Sequence, residues 1–396
     1  MKQFLTPSLF AVLLVATVGC GDSRSPAAPR PPKPPAGGSK GGSKAAAAPK
    51  PAGVTAAEVR AAAKKAAGAL VAMQNKDGSF GKQGISVGMT GLAVISLAET
   101  GAGGAAGDAA VQKGVACMLK FKQPDGGVYV KGRPYNSYET SIAIMALAAA
   151  DKARYKDVID AGVKYLKGIQ DDGSKKATNK GGIGYGSKGV NSNMSTTHYA
   201  LQAFKAAGLS EKDEAWKKAV AFISICQNQA ETNEMEYAAV INDGGFIYSP
   251  AGGKTKPVTK RGKTGWRSYG SMTYAGYLSY VYARLSTDDP RVKGAEKWMQ
   301  NNYTLEENPA FGQQGLFYFY QTFALALDAR GDRIFPLADG RKLDWSRELS
   351  AKLISLQKPD GTWINTADRW YESDPVICTS YSLRALGRAL KYFEVK

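Results

Sequence analysis

One phrase recurs along this chain. Residues 72–82 read AMQNKDGSFGK and residues 355–365 read SLQKPDGTWIN. Both consist of Gln, two residues, Asp-Gly, one residue and an aromatic. Following the Gln gives six positions: Gln74, Gln123, Gln170, Gln227, Gln300 and Gln357, spaced 49, 47, 57, 73 and 57 residues apart. Repetition at such intervals marks one supersecondary unit used many times.

The units share their parts. An amphipathic segment ends at the Gln, as in GVKYLKGIQ or ELSAKLISLQ. Its apolar residues recur at three and four, the mark of a helix with one buried stripe. A Gly-rich turn follows and ends in an aromatic: Phe80, Tyr129, Tyr185, Phe246 or Trp363. Asp-Gly supplies the turn and the positive φ that stops the helix. Then comes a second helix, expected to open at a Thr (Thr90, Thr140, Thr197, Thr273, Thr322, Thr379) and apolar on nearly every face. A helix apolar all round is surrounded by protein. Six hairpins of this kind predict an all-α fold, an (α/α)6 toroid with inner and outer helix rings. An open solenoid would need polar capping repeats, and the first and last units look like the others.

The toroid is expected over residues 54–396. Residues 1–20 read as a signal peptide, with Lys2, an apolar stretch of 15 residues from Phe4 to Val18, and Gly19-Cys20. That ending resembles the bacterial lipoprotein signal, which implies lipidation of Cys20. Residues 21–53 are rich in Pro, Ala, Gly and Lys and too poor in large apolar residues to form a core, so they read as a disordered linker. The expectation is an exported protein, lipid-anchored in a bacterial cell envelope, with the toroid outside the cytoplasm. The formal charge is +18. Leader and linker carry a third of it, so the toroid keeps a surplus suited to acidic partners such as anionic headgroups or glycans. An exported protein rarely meets nucleic acid, so none is expected as a partner. Cys117, Cys226 and Cys378 have no CxxC spacing and read as small buried hydrophobes rather than a disulfide framework.

The repeated Gln-x-x-Asp-Gly-x-aromatic phrase between paired helices resembles the repeat of squalene–hopene cyclases. Over residues 56–396 the chain is similar to the terpenoid cyclase and protein prenyltransferase toroids. The resemblance implies a central cavity and tells where catalytic residues would stand. Cyclases carry an Asp-rich acid motif before the Thr of an inner helix. The residues before those Thr here are Met89, Glu139, Thr196, Met272, Gln321 and Cys378, which are the expected cavity-lining set. Only Glu139 is acidic, and no second carboxylate precedes it. Prenyltransferases hold zinc through Asp, Cys and His. Cys378 stands at their His position and no Asp-x-Cys occurs, so neither a metal nor another cofactor is expected. His198, the only histidine, lies beside Tyr199 and near Asn191 and Asn193, residue types that polysaccharide lyases use. Its plainer role is packing between helices.

Glu139 and His198 are therefore the catalytic candidates, neither with its expected partners. Aromatics crowd the C-terminal half (Trp266, Tyr269, Tyr274, Phe317–Tyr320, Trp370, Tyr371), as core or as pocket lining. Residues 254–263, KTKPVTKRGK, read as a basic surface loop, and Arg267 follows shortly after. The leading expectation is a binding protein for an apolar or isoprenoid-like ligand or an envelope partner. The alternatives are a divergent cyclase or prenyltransferase, and an interaction scaffold.

Overall fold

The computed structural model describes residues 53–82, 86–186 and 191–393. The expected leader, Cys20 and the linker up to residue 52 lie outside the described residues.

The chain alternates outer and inner helices. The outer ones are α1 (Ala56–Ala72), α3 (Gly104–Leu119), α5 (Lys156–Ile169), α7 (Glu214–Ile225), α10 (Pro290–Asn301) and α12 (Trp345–Leu356). The inner ones are α2 (Val87–Thr100), α4 (Asn136–Asp151), α6 (Met194–Ala207), α9 (Gly270–Tyr282), α11 (Leu316–Arg330) and α13 (Pro375–Leu390). Each inner helix packs on the next, and α13 packs back on α2, closing the ring. The fold is an (α/α)6 toroid. Its two helix classes differ as their sequences require. On α5 only a stripe is buried, including Ile159, Val163 and Leu166. On α2 every residue from Val87 to Leu97 except Met89 is buried. A short helix α8 (Glu236–Ile241) and a hairpin of β1 (Pro257–Lys260) and β2 (Lys263–Trp266) lengthen the fourth unit. A second hairpin, β3 (Ile334–Pro336) with β4 (Lys342–Asp344), precedes α12. Cys117, Cys226 and Cys378 are free and buried.

The recurring Gln is a clip between neighbouring units. Gln74 Nε2 donates to Gly78 O in its own turn and to Ala110 O on α3. Gln170 joins Gly181 O to Ala215 O, and Gln227 joins Gly244 O to Arg291 O, by the same rule. Gln357 joins Gly361 O to Ala62 O on α1, so the last unit grips the first. The turn glycine lies hard against the next outer helix. Gly181 has φ 84°, and a Cβ there would stand 1.9 Å from Lys218 O. Gly361 has φ 89° and would meet Lys65 O at 2.7 Å.

The Thr has an equally concrete task. Its Oγ1 accepts the backbone N–H at the end of the turn: Phe80 to Thr90, Val128 to Thr140, Ile183 to Thr197, Phe246 to Thr273 and Trp363 to Thr379, at 3.0–3.2 Å. Several sequence expectations need amending here. The Thr sits in the second turn or late in the first, because the inner helices start three to six residues before it. In the second and third units the clipped residue is Val128 or Ile183, not Tyr129 or Tyr185. Gln123 holds only its own turn, through Phe121 O and Tyr129 O. The fifth unit lacks the clip. Gln300 lies inside α10 and offers its carbonyl to Ala338 N–H, while Thr322 bonds back into its own helix.

Candidate functional site

A ring of parallel-running inner helices gathers six N-termini on one face. The free N–H groups there need acceptors, and the neighbouring unit often provides them. Glu139 Oε2, on α4, accepts from Val130 N–H at 2.8 Å, with Val87 and Gly88 of α2 as further backbone donors. Ser137 N–H of α4 donates to Tyr185 O, and Met194 N–H of α6 to Tyr248 O. Asn308 Oδ1 accepts from Ser271 N–H of α9 at 2.9 Å. Glu372 Oε1 accepts from Tyr318 N–H of α11 at 2.8 Å, and Asn365 Nδ2 donates to its Oε2 at 2.7 Å.

Aromatic rings fill the space inside this rim. Tyr138 of α4 stands edge-on to Tyr199 of α6, with centroids 4.9 Å apart. Tyr199 stacks on Tyr318 of α11 at 6.1 Å, and Tyr318 leans on Tyr381 of α13 at 5.9 Å. The Tyr199 and Tyr381 hydroxyls meet at 3.3 Å. Outside this collar Tyr135 packs edge-on against Tyr185, and Tyr269, Phe311 and Trp370 form one continuous stack. Arg369 covers both Phe311 and Trp370. Two of these rings face water, Tyr135 at 37% and Trp370 at 40% exposure, and so does the adjoining Tyr371 at 51%. Trp370 and Tyr371 also hold consecutive positive φ values, 62° and 64°. For bulky residues this conformation costs about 1–3 kcal/mol each and tends to persist where function uses it.

Below the collar the ring is closed by a polar chain. Arg384 Nη1 donates to Gln202 Oε1, and Gln202 Nε2 donates to His198 Nε2 at 2.9 Å. His198 Nδ1 lies 3.1 Å from Ser279 Oγ, whose own proton goes to Ala275 O. The network therefore assigns the imidazole its proton on Nδ1 and fills its Nε2 lone pair. Burial first, and the Arg384 charge second, lower its pKa to about 3. Glu99 takes Arg384 and Arg388, and Arg388 reaches Asp328. Burial pushes the Glu99 carboxyl up, but the two guanidinium groups outweigh it and hold the pKa at about 2.

The expected site residues are placed as follows. Glu139 is buried at the rim, and burial raises its pKa against its backbone donors. His198 is buried, with both nitrogens occupied. Thr196 Oγ1 donates to Ile183 O, and Cys378 Sγ to Glu372 O. Met89 is half-buried and Met272 lies in the core. Gln321 is fully buried, and its amide makes no hydrogen bond among the described residues. Asn193 caps α6 through Thr196 N–H, and Tyr199 pairs with Tyr381, so neither is joined to His198 as a catalytic pair. Among the described residues no three His, Cys, Asp or Glu are grouped to hold a metal.

Sequence reasoning missed Glu372. Burial raises its carboxyl to about 7 despite donors from Asn365 and the start of α11. In the sequence it resembles nearby Asp368 and Asp374, and only ring closure between α11 and α13 buries it.

No family model matches the chain, and no curated protein matches it. Solved structures do. The type II terpene cyclase MstE from Scytonema aligns with a TM-score of 0.54 at 12% identity, over 85% of this chain and 99% of that one. A possible GH105-family protein from Salmonella enterica serovar Paratyphi A aligns at 0.52 and 10%, over 86% and 95%. An alpha-amylase from Clostridium perfringens aligns at 0.51 and 14%, over 83% and 97%. At such identities the likeness is one of fold, which terpene cyclases and glycosidases share.

Proposed function

We propose that this is an exported, lipid-anchored envelope protein whose toroid binds an apolar, ring-bearing or isoprenoid-like ligand at the aromatic mouth without transforming it. The observation that carries the reading is the pair Trp370–Tyr371, two large rings held outward in left-handed backbone beside the stack of Phe311 and Tyr269. Exposed stacked rings are suited to apolar and planar groups. The acid chemistry argues against cyclisation. Protonating an alkene needs an unusually strong acid, whereas burial makes Glu139 and Glu372 weaker acids.

The test is native purification of the full chain, solvent extraction and mass spectrometry, beside the Trp370→Ala/Tyr371→Ala variant. A discrete apolar compound retained by the wild type and lost from the variant is expected. Equal retention by both would refute the assignment. MstE was captured with geranylgeranyl dihydroxybenzoate, so prenylated aromatics are the first compounds to try. Glu372 alone favours an enzyme, because a carboxyl near pKa 7 is poised for general acid–base work. A product formed from such a compound by the wild type and not by Glu372→Gln would establish that second reading.

A further inference from the structure

We propose that a pocket under the β1–β2 hairpin, lined by none of the mouth's rings, binds a phosphate group. The pocket holds about 250 Å³ and is lined by Asp243, Val258, Lys260, Arg267, Trp298 and Asn302, among others. That volume is below the range for a drug-sized ligand and suits a small headgroup.

The hairpin is firmly seated. Gly265 of β2 lies so close to α8 that a Cβ would come within 2.8 Å of Tyr237 O. Trp266 packs edge-on against Tyr237 at 5.7 Å. Strand alternation then sends Val258 and Lys260 to the same face, and both line the pocket. Arg267 follows β2 directly and joins Lys260 there.

The pocket brings two cations together. Three cations nearby have carboxylate partners, Lys263 with Glu236, Arg291 with Asp289 and Lys293 with Asp288. Lys260 and Arg267 make no ion pair among the described residues. Two like charges brought to one small pocket repel, and an anion between them removes that cost. The Arg fork matches phosphate oxygens in geometry, and Lys adds a mobile point charge. Asp243 is the opposing group. Its oxygens are already engaged by Gly245 N–H at 3.0 Å, Ser268 Oγ at 2.7 Å and Trp298 Nε1 at 3.2 Å. Burial raises its pKa against those donors. Lys256 and Arg261 are exposed on the same hairpin and extend the positive field outward.

The phosphate could belong to a lipid headgroup or be free in solution, and the test separates the two. Titration calorimetry on the full chain at fixed ionic strength would use inorganic phosphate and water-soluble dihexanoyl phosphatidic acid. Lys260→Gln and Arg267→Ala are both exposed and are each expected to weaken binding about tenfold. Lys217→Ala removes an exposed charge from α7 and should leave binding within about twofold, since a distant exposed charge is screened. Tighter binding of the phosphatidic acid would identify a lipid headgroup, and equal binding a free phosphate. Binding that is absent for both probes, or that falls equally in all three variants, would overturn the site. The mouth variant Trp370→Ala/Tyr371→Ala should bind phosphate like the wild type, so failure here leaves the mouth assignment standing.

Discussion

If the recurring Gln is a clip, its removal should cost most where water cannot replace it. Gln170 is buried, and its amide donates to Gly181 O at 2.8 Å and Ala215 O at 3.1 Å. Gln170→Ala removes both bonds. Each lost bond is worth about 0.5–1.5 kcal/mol net, and burial moves the value to the upper end, for roughly 3 kcal/mol in all. Gln357 makes the same pair of bonds across the ring seam but is half-buried. Water reaches its carbonyls once the side chain is gone, so Gln357→Ala should cost roughly 1–2 kcal/mol. For a folded unit of this size the unfolding entropy gives about 0.7 kcal/mol per degree. The melting temperature should therefore fall by about 4 °C for Gln170→Ala and about 2 °C for Gln357→Ala. Gln170→Glu should be worse than Ala near neutral pH, because a carboxylate would face two carbonyls. That variant should recover as acid protonates it and restores one donor. Gln112→Ala, exposed on α3, is the control and should lie within a degree or so of the wild type. If Gln170→Ala melts with that control, the clip carries no energy and the repeat must be explained by its turn alone.

Three further outcomes are expected. Trp363 is fully buried and its Nε1 donates to Leu353 O, so Trp363→Ala should cost roughly 3–5 kcal/mol in urea unfolding, and an unchanged midpoint would contradict the packing described. Glu372 rises from its usual 4.5 to about 7 on folding. Its contribution is thus fully present below pH 4.5 and lost as pH climbs through about 7, roughly 3 kcal/mol in all; Glu372→Gln should lack that slope, and parallel pH profiles would refute the raised pKa. Cys20→Ser should release the protein from membranes into the soluble fraction, and unchanged membrane partition would rule out the proposed anchor.

The fold was legible because its signals are short-range. A Gln, a positive-φ glycine and an aromatic within seven residues mark the turns of the first, second and sixth units, and helical periodicity marks what flanks every turn. What remained hidden depends on distance along the chain. The third unit contains Gly173 soon after its Gln, one residue short of where the phrase would put it. The glycine under the next outer helix is Gly181, eight residues later, and nothing local separates the two. The fifth unit keeps a Gln but not the turn, so Gln300 matches the pattern without its role. The aromatics posed the same difficulty. Tyr274, Tyr277 and Tyr280 fill the core, while Trp370 and Tyr371 face water. Composition is the same for both groups, and only the backbone that ring closure imposes tells them apart.

The helix N-termini explain why the two proposed sites differ in chemistry. Six inner helices direct positive dipole ends at one mouth, an arrangement that ordinarily draws anions. Here the protein supplies the acceptors itself. Glu139 serves α2, Glu372 serves α11, Asn308 serves α9, and the carbonyls of Tyr185 and Tyr248 serve α4 and α6. With those donors satisfied, a phosphate at the mouth would compete with carboxyls already in place. What the mouth still offers is ring surface. Positive charge outside any ion pair is found instead at Lys260 and Arg267, where no helix N-terminus is involved and the carboxylate lining the same pocket, Asp243, is already engaged by Gly245, Ser268 and Trp298. An amphiphile with an apolar body and a phosphate head would thus meet its two preferences at different places. Binding at the mouth should respond little to salt, whereas binding at the hairpin should weaken steeply with it. Salt titration of both, in one buffer series, separates the sites without any mutation; equal salt dependence would mean that the mouth is not the self-neutralised surface described.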